Sequence, residues 1–219
     1  MTSQTSQTSQ TSRTEQTSAP GTTPDVPPHP RRWRTVDIVV ASSIAVAFGV
    51  VFWAWGQLWN TSSAAFAGFP PAQGFMYGVW LLPGVLGALI IRKPGAAIYT
   101  MVVASLVSAL LGTPWGLQVV VYGLVEGAAP ELVFAFLSYS SWRLPTAVVA
   151  GAVAGAAAAL LDIVFYYPTW SGPWQLTYTG LLMVSSGVIA GAGGWLLVRS
   201  LARSGVLAPF RSGREQVEV

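Results

Sequence analysis

Apolar residues along this chain gather into six long runs, separated by short segments that are polar or rich in Gly and Pro. A run of about 20 predominantly apolar residues is long enough to cross a bilayer as an α-helix. The pattern therefore predicts an all-α membrane protein with six transmembrane helices, the third of which is short. The predicted spans are approximately residues 36–55, 73–91, 95–111, 115–137, 144–165 and 176–201.

The two ends of the chain lack such runs. Residues 1–30 begin TSQTSQTSQTS and are rich in Thr, Ser, Gln and Pro, with almost no large apolar side chains. This composition predicts a disordered tail. Residues 31–205 are predicted to form one transmembrane domain, and residues 206–219 a short C-terminal tail.

Positive charge lies on one side of the alternating helices. Six spans put both termini on the same side, and the loops that reach the other side, residues 56–72, 112–114 and 166–175, contain no Lys, Arg, Asp or Glu. The positive-inside rule then predicts that both termini are cytoplasmic. The basic residues on that side are Arg31, Arg32, Arg34, Arg92, Lys93, Arg143, Arg199, Arg203, Arg211 and Arg214.

The amino-acid composition excludes several common kinds of functional site. Of the 219 residues, 53% are hydrophobic and only 9% are charged, against about 25% charged in soluble domains. The chain has no Cys, and its one His, His29, precedes the spans. The usual thiol, imidazole and transition-metal sites are therefore not expected, and neither is a cofactor. The net charge of +3 is explained by membrane orientation, and we expect no nucleic-acid partner.

The fourth span contains a polar and aromatic face. Trp115, Gln118, Tyr122 and Glu126 follow one another at intervals of three, four and four residues, which places them on one side of a helix. The face descends from the outer surface to a carboxylate near the middle of the membrane. It suits the wall of a small-molecule pocket that opens to the outside.

Two further acids lie within or near apolar spans. Glu131 follows Glu126 by five residues, with Pro130 between them, and Asp162 is near the outer end of the fifth span. An ionised group in the membrane costs at least about 2.5–3.5 kcal/mol, and such groups are usually functional. No Lys or Arg lies deep in a span to pair with them. Carboxylates with aromatic neighbours suit an organic cation or an aminopyrimidine.

Other aromatic residues extend the candidate site. Tyr77 and Trp80 lie several residues inside the second span, deeper than an interfacial aromatic belt requires. Trp53 lies where the first span leaves the membrane, and Tyr166 lies beside Asp162. We include these residues among the predicted substrate contacts.

The first span has small residues at helical spacing. Ala41, Ala45 and Gly49 recur every four residues, a pattern that lets membrane helices approach closely. From the residues alone, this face could pack inside the bundle or contact another membrane subunit.

Residues 75–100, FMYGVWLLPGVLGALIIRKPGAAIYT, and residues 122–142, YGLVEGAAPELVFAFLSYSSW, resemble the YkoE family. Its members are substrate-binding S components of energy-coupling factor (ECF) transporters in the bacterial plasma membrane. The resemblance extends over about residues 33–205 and is most specific around Arg92–Gly95 and Glu131–Phe134.

The resemblance implies an S-component-like bundle of six helices that binds thiamine or its hydroxymethylpyrimidine precursor near the outer face. It also implies a transmembrane coupling protein and a pair of cytoplasmic ATPases as partners. The face of Ala41, Ala45 and Gly49 would contact the coupling protein, and Glu131 matches the acidic position of the family. The chain has no Walker A sequence, so ATP hydrolysis is expected in the partners and no catalysis in this subunit.

A second class of function remains open. A stand-alone proton-coupled carrier of a small organic cation could use Glu126 or Glu131 as a proton relay, although no internal repeat is evident. A membrane enzyme is disfavoured, because the common nucleophile–base pairs are missing. For the binding subunit, the sequence predicts that Glu131→Gln weakens substrate binding markedly.

Overall fold

The computed structural model describes residues 32–205 and, beyond them, Leu207, Phe210 and Ser212. The predictions made for residues 1–30, including His29, and for most of residues 206–219, including Arg211 and Arg214, lie outside the described residues.

Seven α-helices and three shorter helical segments make up the described chain, with no β-strand in this part. Five helical segments are long and apolar enough to cross a membrane, and α3, with 15 residues, is a shorter apolar helix. The predicted all-α membrane fold is confirmed. The α-helices are α1 (Thr35–Ser62), α2 (Gly78–Ile91), α3 (Ala96–Leu110), α4 (Gln118–Phe136), α5 (Leu144–Phe165), α6 (Gly172–Ser186) and α7 (Gly194–Arg203).

Helix boundaries differ from prediction where polar or glycine-rich sequence meets a helix. α1 continues to Ser62, seven residues beyond its predicted end, and a 3₁₀ segment, Pro70–Met76, precedes α2. Trp115 lies before α4, because Gly116 adopts a left-handed φ of 56°. The last span starts four residues earlier than predicted, and a π-helical segment, Gly187–Gly193, joins α6 to α7.

Small residues set the distances between helices. A Cβ on Gly151 of α5 would lie 2.5 Å from the carbonyl oxygen of Ser186, so only glycine permits this approach to the last span. The rest of the buried face of α5 is mostly alanine and glycine. Such close backbone packing is typical of helices in lipid.

The small-residue face of α1 packs inside the bundle against α3. Ala41 and Ala45 are fully buried, and a Cβ on Gly49 would lie 2.5 Å from the Cβ of Val107. In this structure α3 therefore covers all three small residues. Of the two alternatives left open by the sequence, packing inside the bundle and contact with another subunit, this structure shows the first.

The bundle has two ends, which we call basal and distal. At the basal end α1 begins and α2 turns into α3. At the distal end α1 finishes and α4 begins. The basal turn is held from α1, where the buried Asp37 carboxylate pairs with Lys93 and the Trp33 indole donates to the Pro94 carbonyl over 2.9 Å.

Candidate functional site

A cavity of about 340 Å³ lies in the distal half of the bundle, within the size range of small-molecule sites. Eight of the ten residues predicted to contact substrate line it. Its lining comprises Phe52, Trp59, Tyr77, Trp80, Ser105, Ser108, Thr113, Trp115, Gln118, Val119, Tyr122, Gly123, Glu126, Asp162, Tyr166 and Tyr167.

One wall is the polar and aromatic face of α4. Gln118, Tyr122 and Glu126 project from successive turns of this helix, and Trp115 joins them from the turn before it. Gly123 on the same helix lets α3 approach closely, since a Cβ there would overlap the Ser105 hydroxyl oxygen. The wall therefore follows from helical periodicity together with one small residue.

Glu126 is the deepest acid of this wall. It is 5% exposed, and the Tyr77 hydroxyl donates to its Oε1 over 2.8 Å. Among the described residues its Oε2 has no hydrogen-bond partner. This Oε2 is not among the fully buried side-chain atoms that lack a partner in the described chain, so it keeps surface open to the cavity that Glu126 lines. The arrangement can accept an N–H from a molecule in the cavity.

Asp162 reaches the cavity from the distal end of α5. The Tyr122 hydroxyl donates to its Oδ1 over 2.8 Å and the Tyr178 hydroxyl to its Oδ2 over 2.7 Å. At the rim, the Tyr166 hydroxyl donates to Gln118 Oε1 over 2.9 Å. These bonds join α4, α5 and α6 around the mouth of the cavity.

Aromatic rings form an adjoining wall, which meets the α4 face where the Tyr77 hydroxyl bonds Glu126 and where Trp80 contacts Trp115. The Trp80 ring lies 5.1 Å from that of Trp59, 5.2 Å from that of Tyr77 and 5.8 Å from that of Trp115, measured between centroids. The two edge-to-face pairs and one tilted pair fix the rings, because aromatic pairs favour such geometries. A flat ligand ring finds apolar faces on this side.

The lining of the cavity contains acidic side chains but no basic ones. It contains two acids and no Lys, Arg or His. In the loop after α5, burial raises the pKa of the Tyr167 phenol to about 12, so this group is a neutral donor at physiological pH. In the described part of the chain, no group of three or more His, Cys, Asp or Glu residues could hold a metal ion.

Two predicted contacts lie elsewhere. Glu131 is oriented toward the basal end, where its carboxylate accepts hydrogen bonds from the Gly95 and Ala97 backbone N–H groups at 2.7 and 2.9 Å and from the Tyr139 hydroxyl at 2.7 Å. Its partners are the first backbone donors of α3, so it caps that helix. Trp53 is 38% exposed and does not line the cavity.

Several residues that line the cavity, and one that holds Asp162 from behind it, were missed by sequence analysis. Ser105 and Ser108, three residues apart on an apolar helix, carried a usable signal, because such spacing places both hydroxyls on one face. Tyr178 carried none: it is 16 residues from Asp162 in the sequence, and only the packing of α6 on α5 brings them together. Phe52 lies inside the predicted first span, and Trp59 lies on the part of α1 that continues beyond it.

Comparisons with known proteins agree with this fold. A family model described as "ABC-type cobalt transport system, permease component" matches residues 36–157, more than half of the chain. The Bacillus subtilis (strain 168) protein YkoE, named as an HMP/thiamine permease protein, is 33% identical over 186 residues, which are 84% of this chain and 92% of that one.

A solved structure gives the same result. The crystal structure of an S-component of an ECF transporter matches with a TM-score of 0.81 at 32% identity, covering 85% of this chain and 94% of the other. The resemblance drawn from the sequence is therefore confirmed. Sequence, fold and coverage together show that this chain belongs to the permease-component family and to the S components of ECF transporters.

Proposed function

We propose that this subunit captures thiamine, or its hydroxymethylpyrimidine precursor (HMP), from outside a bacterial cell for import driven by ATP hydrolysis in partner subunits. The observation that carries the proposal is Glu126, which offers an unpaired oxygen to an aromatic cavity without a basic residue. The name of the relative YkoE, an HMP/thiamine permease protein, supports the same substrates.

The chemistry of these ligands matches the cavity. An aminopyrimidine donates N–H groups that a carboxylate can accept, and its flat ring can pack on Trp80 and Tyr77. The thiazolium ring of thiamine carries a fixed positive charge, which acids and aromatic faces attract. We therefore assign the substrate site to the predicted residues that line the cavity, namely Tyr77, Trp80, Trp115, Gln118, Tyr122, Glu126, Asp162 and Tyr166.

Glu131 takes a structural role in this proposal. All of its described hydrogen bonds connect α4 to the start of α3 and to Tyr139. We assign it to holding α3, which frames the cavity through Ser105 and Ser108.

We further propose that the basal end faces the cytoplasm, with both termini there, in the bacterial plasma membrane. Basic residues in the described chain lie at this end, as the positive-inside rule requires. A transmembrane coupling protein would contact α1 and couple ATP hydrolysis by two ATPases to transport. Because α3 covers Ala41 and Ala45, we assign this contact to the exposed neighbouring face of α1, which includes Val39 and Val46, 56% and 50% exposed.

The proposal is tested by isothermal titration calorimetry of the detergent-purified protein with thiamine and with HMP. Wild type should bind at least one of them saturably. Glu126→Gln keeps an acceptor for Tyr77 but loses the charge, so affinity should fall at least about 10-fold, since hydrogen bonds to charged groups contribute about 1.5–3 kcal/mol. Wild-type protein that is folded and binds neither ligand contradicts the proposal. Proton-driven uptake by the protein alone in liposomes would instead support a carrier.

A further inference from the structure

The aromatic rings around the cavity form two groups, and no close ring pair among the described residues joins them. The tryptophan side comprises Trp59, Tyr77, Trp80 and Trp115. The tyrosine side comprises Tyr122, Tyr166, Tyr167, Trp170 and Tyr178. Each side holds one acid: Tyr77 of the tryptophan side binds Glu126, and two phenols of the tyrosine side bind Asp162.

The two acids differ in the hydrogen-bonding capacity that they leave for a ligand. Glu126 has one donor and an Oε2 without a partner in the described part of the chain, so it can accept a directed hydrogen bond from a ligand N–H. Asp162 already accepts a phenol at each oxygen, from Tyr122 and Tyr178. Each phenol takes one of the two lone pairs of its oxygen, so a ligand N–H would meet an acceptor already crowded by two rings, and a ligand gains from Asp162 mainly through its charge.

That charge has no basic partner nearby. The ion pairs found between described residues both involve Asp37, at the basal end, and the cavity lining contains no Lys, Arg or His. A delocalised ring cation needs no free lone pair, because it is attracted by the charge and by the faces of the surrounding rings. The tyrosine side therefore suits a thiazolium ring better than a neutral aminopyrimidine, because an aminopyrimidine binds mainly through its N–H donors.

The spacing of the two sides fits a ligand with two rings. Tyr122, which reaches Asp162, precedes Glu126 by four residues on α4, a rise of about 6 Å along the helix axis. Glu126 thus lies one helical turn deeper than Tyr122. In a ligand whose two rings are joined by a single methylene, one ring can therefore contact Glu126 while the other contacts Asp162.

We propose that Asp162, held by Tyr122 and Tyr178, is the specificity-determining residue that receives the fixed positive charge of a two-ring cation, while Glu126 receives the aminopyrimidine. Asp162 then sets the preference for thiamine over HMP, which lacks the cationic ring. This inference rests on the proposed function, because it assigns the two halves of the same cavity.

The test is calorimetry with thiamine and HMP on wild type, Asp162→Asn and Glu126→Gln. Asp162→Asn should weaken thiamine binding about 30-fold, from loss of the charge in a desolvated site, and HMP binding less than about 3-fold. Glu126→Gln should weaken both ligands by similar factors. Tyr99→Phe, which loses a hydroxyl bound to Ser42 outside the cavity, should bind both as wild type does and serves as the control.

The outcomes separate this inference from the proposed function. If wild type binds neither ligand, the proposed function fails and the assignment of the two halves fails with it. If wild type binds both and Asp162→Asn weakens both equally, or neither, the role given to Asp162 is overturned while the proposed function stands.

A second measurement does not depend on the folding of Asp162→Asn. Wild type is titrated with a neutral thiamine analogue in which a phenyl ring replaces the thiazolium. We expect this analogue to bind about 30-fold more weakly than thiamine. Equal affinities would show that the fixed charge is not recognised and would overturn the inference.

Discussion

Replacing Glu131 by Gln should destabilise the protein and leave its ligand affinity almost unchanged. The side chain lies five residues beyond Glu126 on α4 and has the same carboxyl group, yet its partners are at the basal end. It accepts two backbone N–H groups of α3 and the hydroxyl of Tyr139, at 2.7–2.9 Å. The substitution keeps the size of the side chain and removes its charge.

The magnitude follows from these three bonds. Glutamine retains one acceptor oxygen but turns an NH₂ donor toward a backbone or phenol donor, so at least one buried donor loses its partner. A hydrogen bond to a charged group contributes about 1.5–3 kcal/mol, and an unsatisfied buried donor costs about 1–3 kcal/mol. We expect the free energy of unfolding to fall by about 2–4 kcal/mol. Because Glu131 does not line the cavity, ligand affinity per folded molecule should stay within about 3-fold of wild type.

The assay compares two variants of one helix. Unfolding in mixed detergent micelles gives the stability, and calorimetry on the folded fraction gives the affinity. Glu126→Gln is the matched control, since it makes the same chemical change while keeping an acceptor for Tyr77. Its stability should stay within about 1 kcal/mol of wild type, and its affinity should drop at least about 10-fold.

The opposite pattern would refute the reasoning. A Glu131→Gln variant with wild-type stability and lost binding would return Glu131 to the substrate site, as the sequence alone had suggested. The capping role would then have no energetic support.

Three further predictions concern packing and charge. Lys93→Met should lower stability by about 3 kcal/mol, because it removes the closer ion-pair partner of the buried Asp37 carboxylate and leaves it the half-exposed Arg34 guanidinium at 3.6 Å, and adding Asp37→Asn should restore part of the loss in the same unfolding assay. Gly127→Ala should cost about 1–3 kcal/mol by overpacking, since the new Cβ would lie 2.8 Å from the Cα of Ile98; Gly180→Ala, in open space, should be neutral or stabilising, and thermal melts compare the two. Thiamine monophosphate should bind at least about 10-fold more weakly than thiamine in competition titrations, because its phosphate meets two acids and no base; equal binding would contradict the charge assignment.

The sequence predicted what depends on local pattern. The bounds of α5 match the apolar run 144–165, and the three- and four-residue spacing of Gln118, Tyr122 and Glu126 placed them on one face that lines the cavity. Both features depend on hydrophobic length and helical periodicity, which a single sequence displays.

What the sequence did not reveal depends on contacts between distant residues. The backbone donors of Glu131 are 36 and 34 residues away, so an acid inside an apolar run could be read only as a candidate ligand contact. The packing of Ala41 and Ala45 on α3 rather than on a partner is equally non-local. The longer α1 was also missed, because hydropathy measures the apolar stretch and a helix can continue beyond it.

The central claim is that the aromatic cavity around Glu126 binds a thiamine-like molecule. Intrinsic tryptophan fluorescence of the purified protein tests it most directly, because Trp59, Trp80 and Trp115 line the cavity. We predict saturable quenching by thiamine at nanomolar to low-micromolar concentration, and a loss of that response in Glu126→Gln at the same concentrations. Folded wild-type protein that shows no fluorescence change and no heat of binding with thiamine or HMP would contradict the claim.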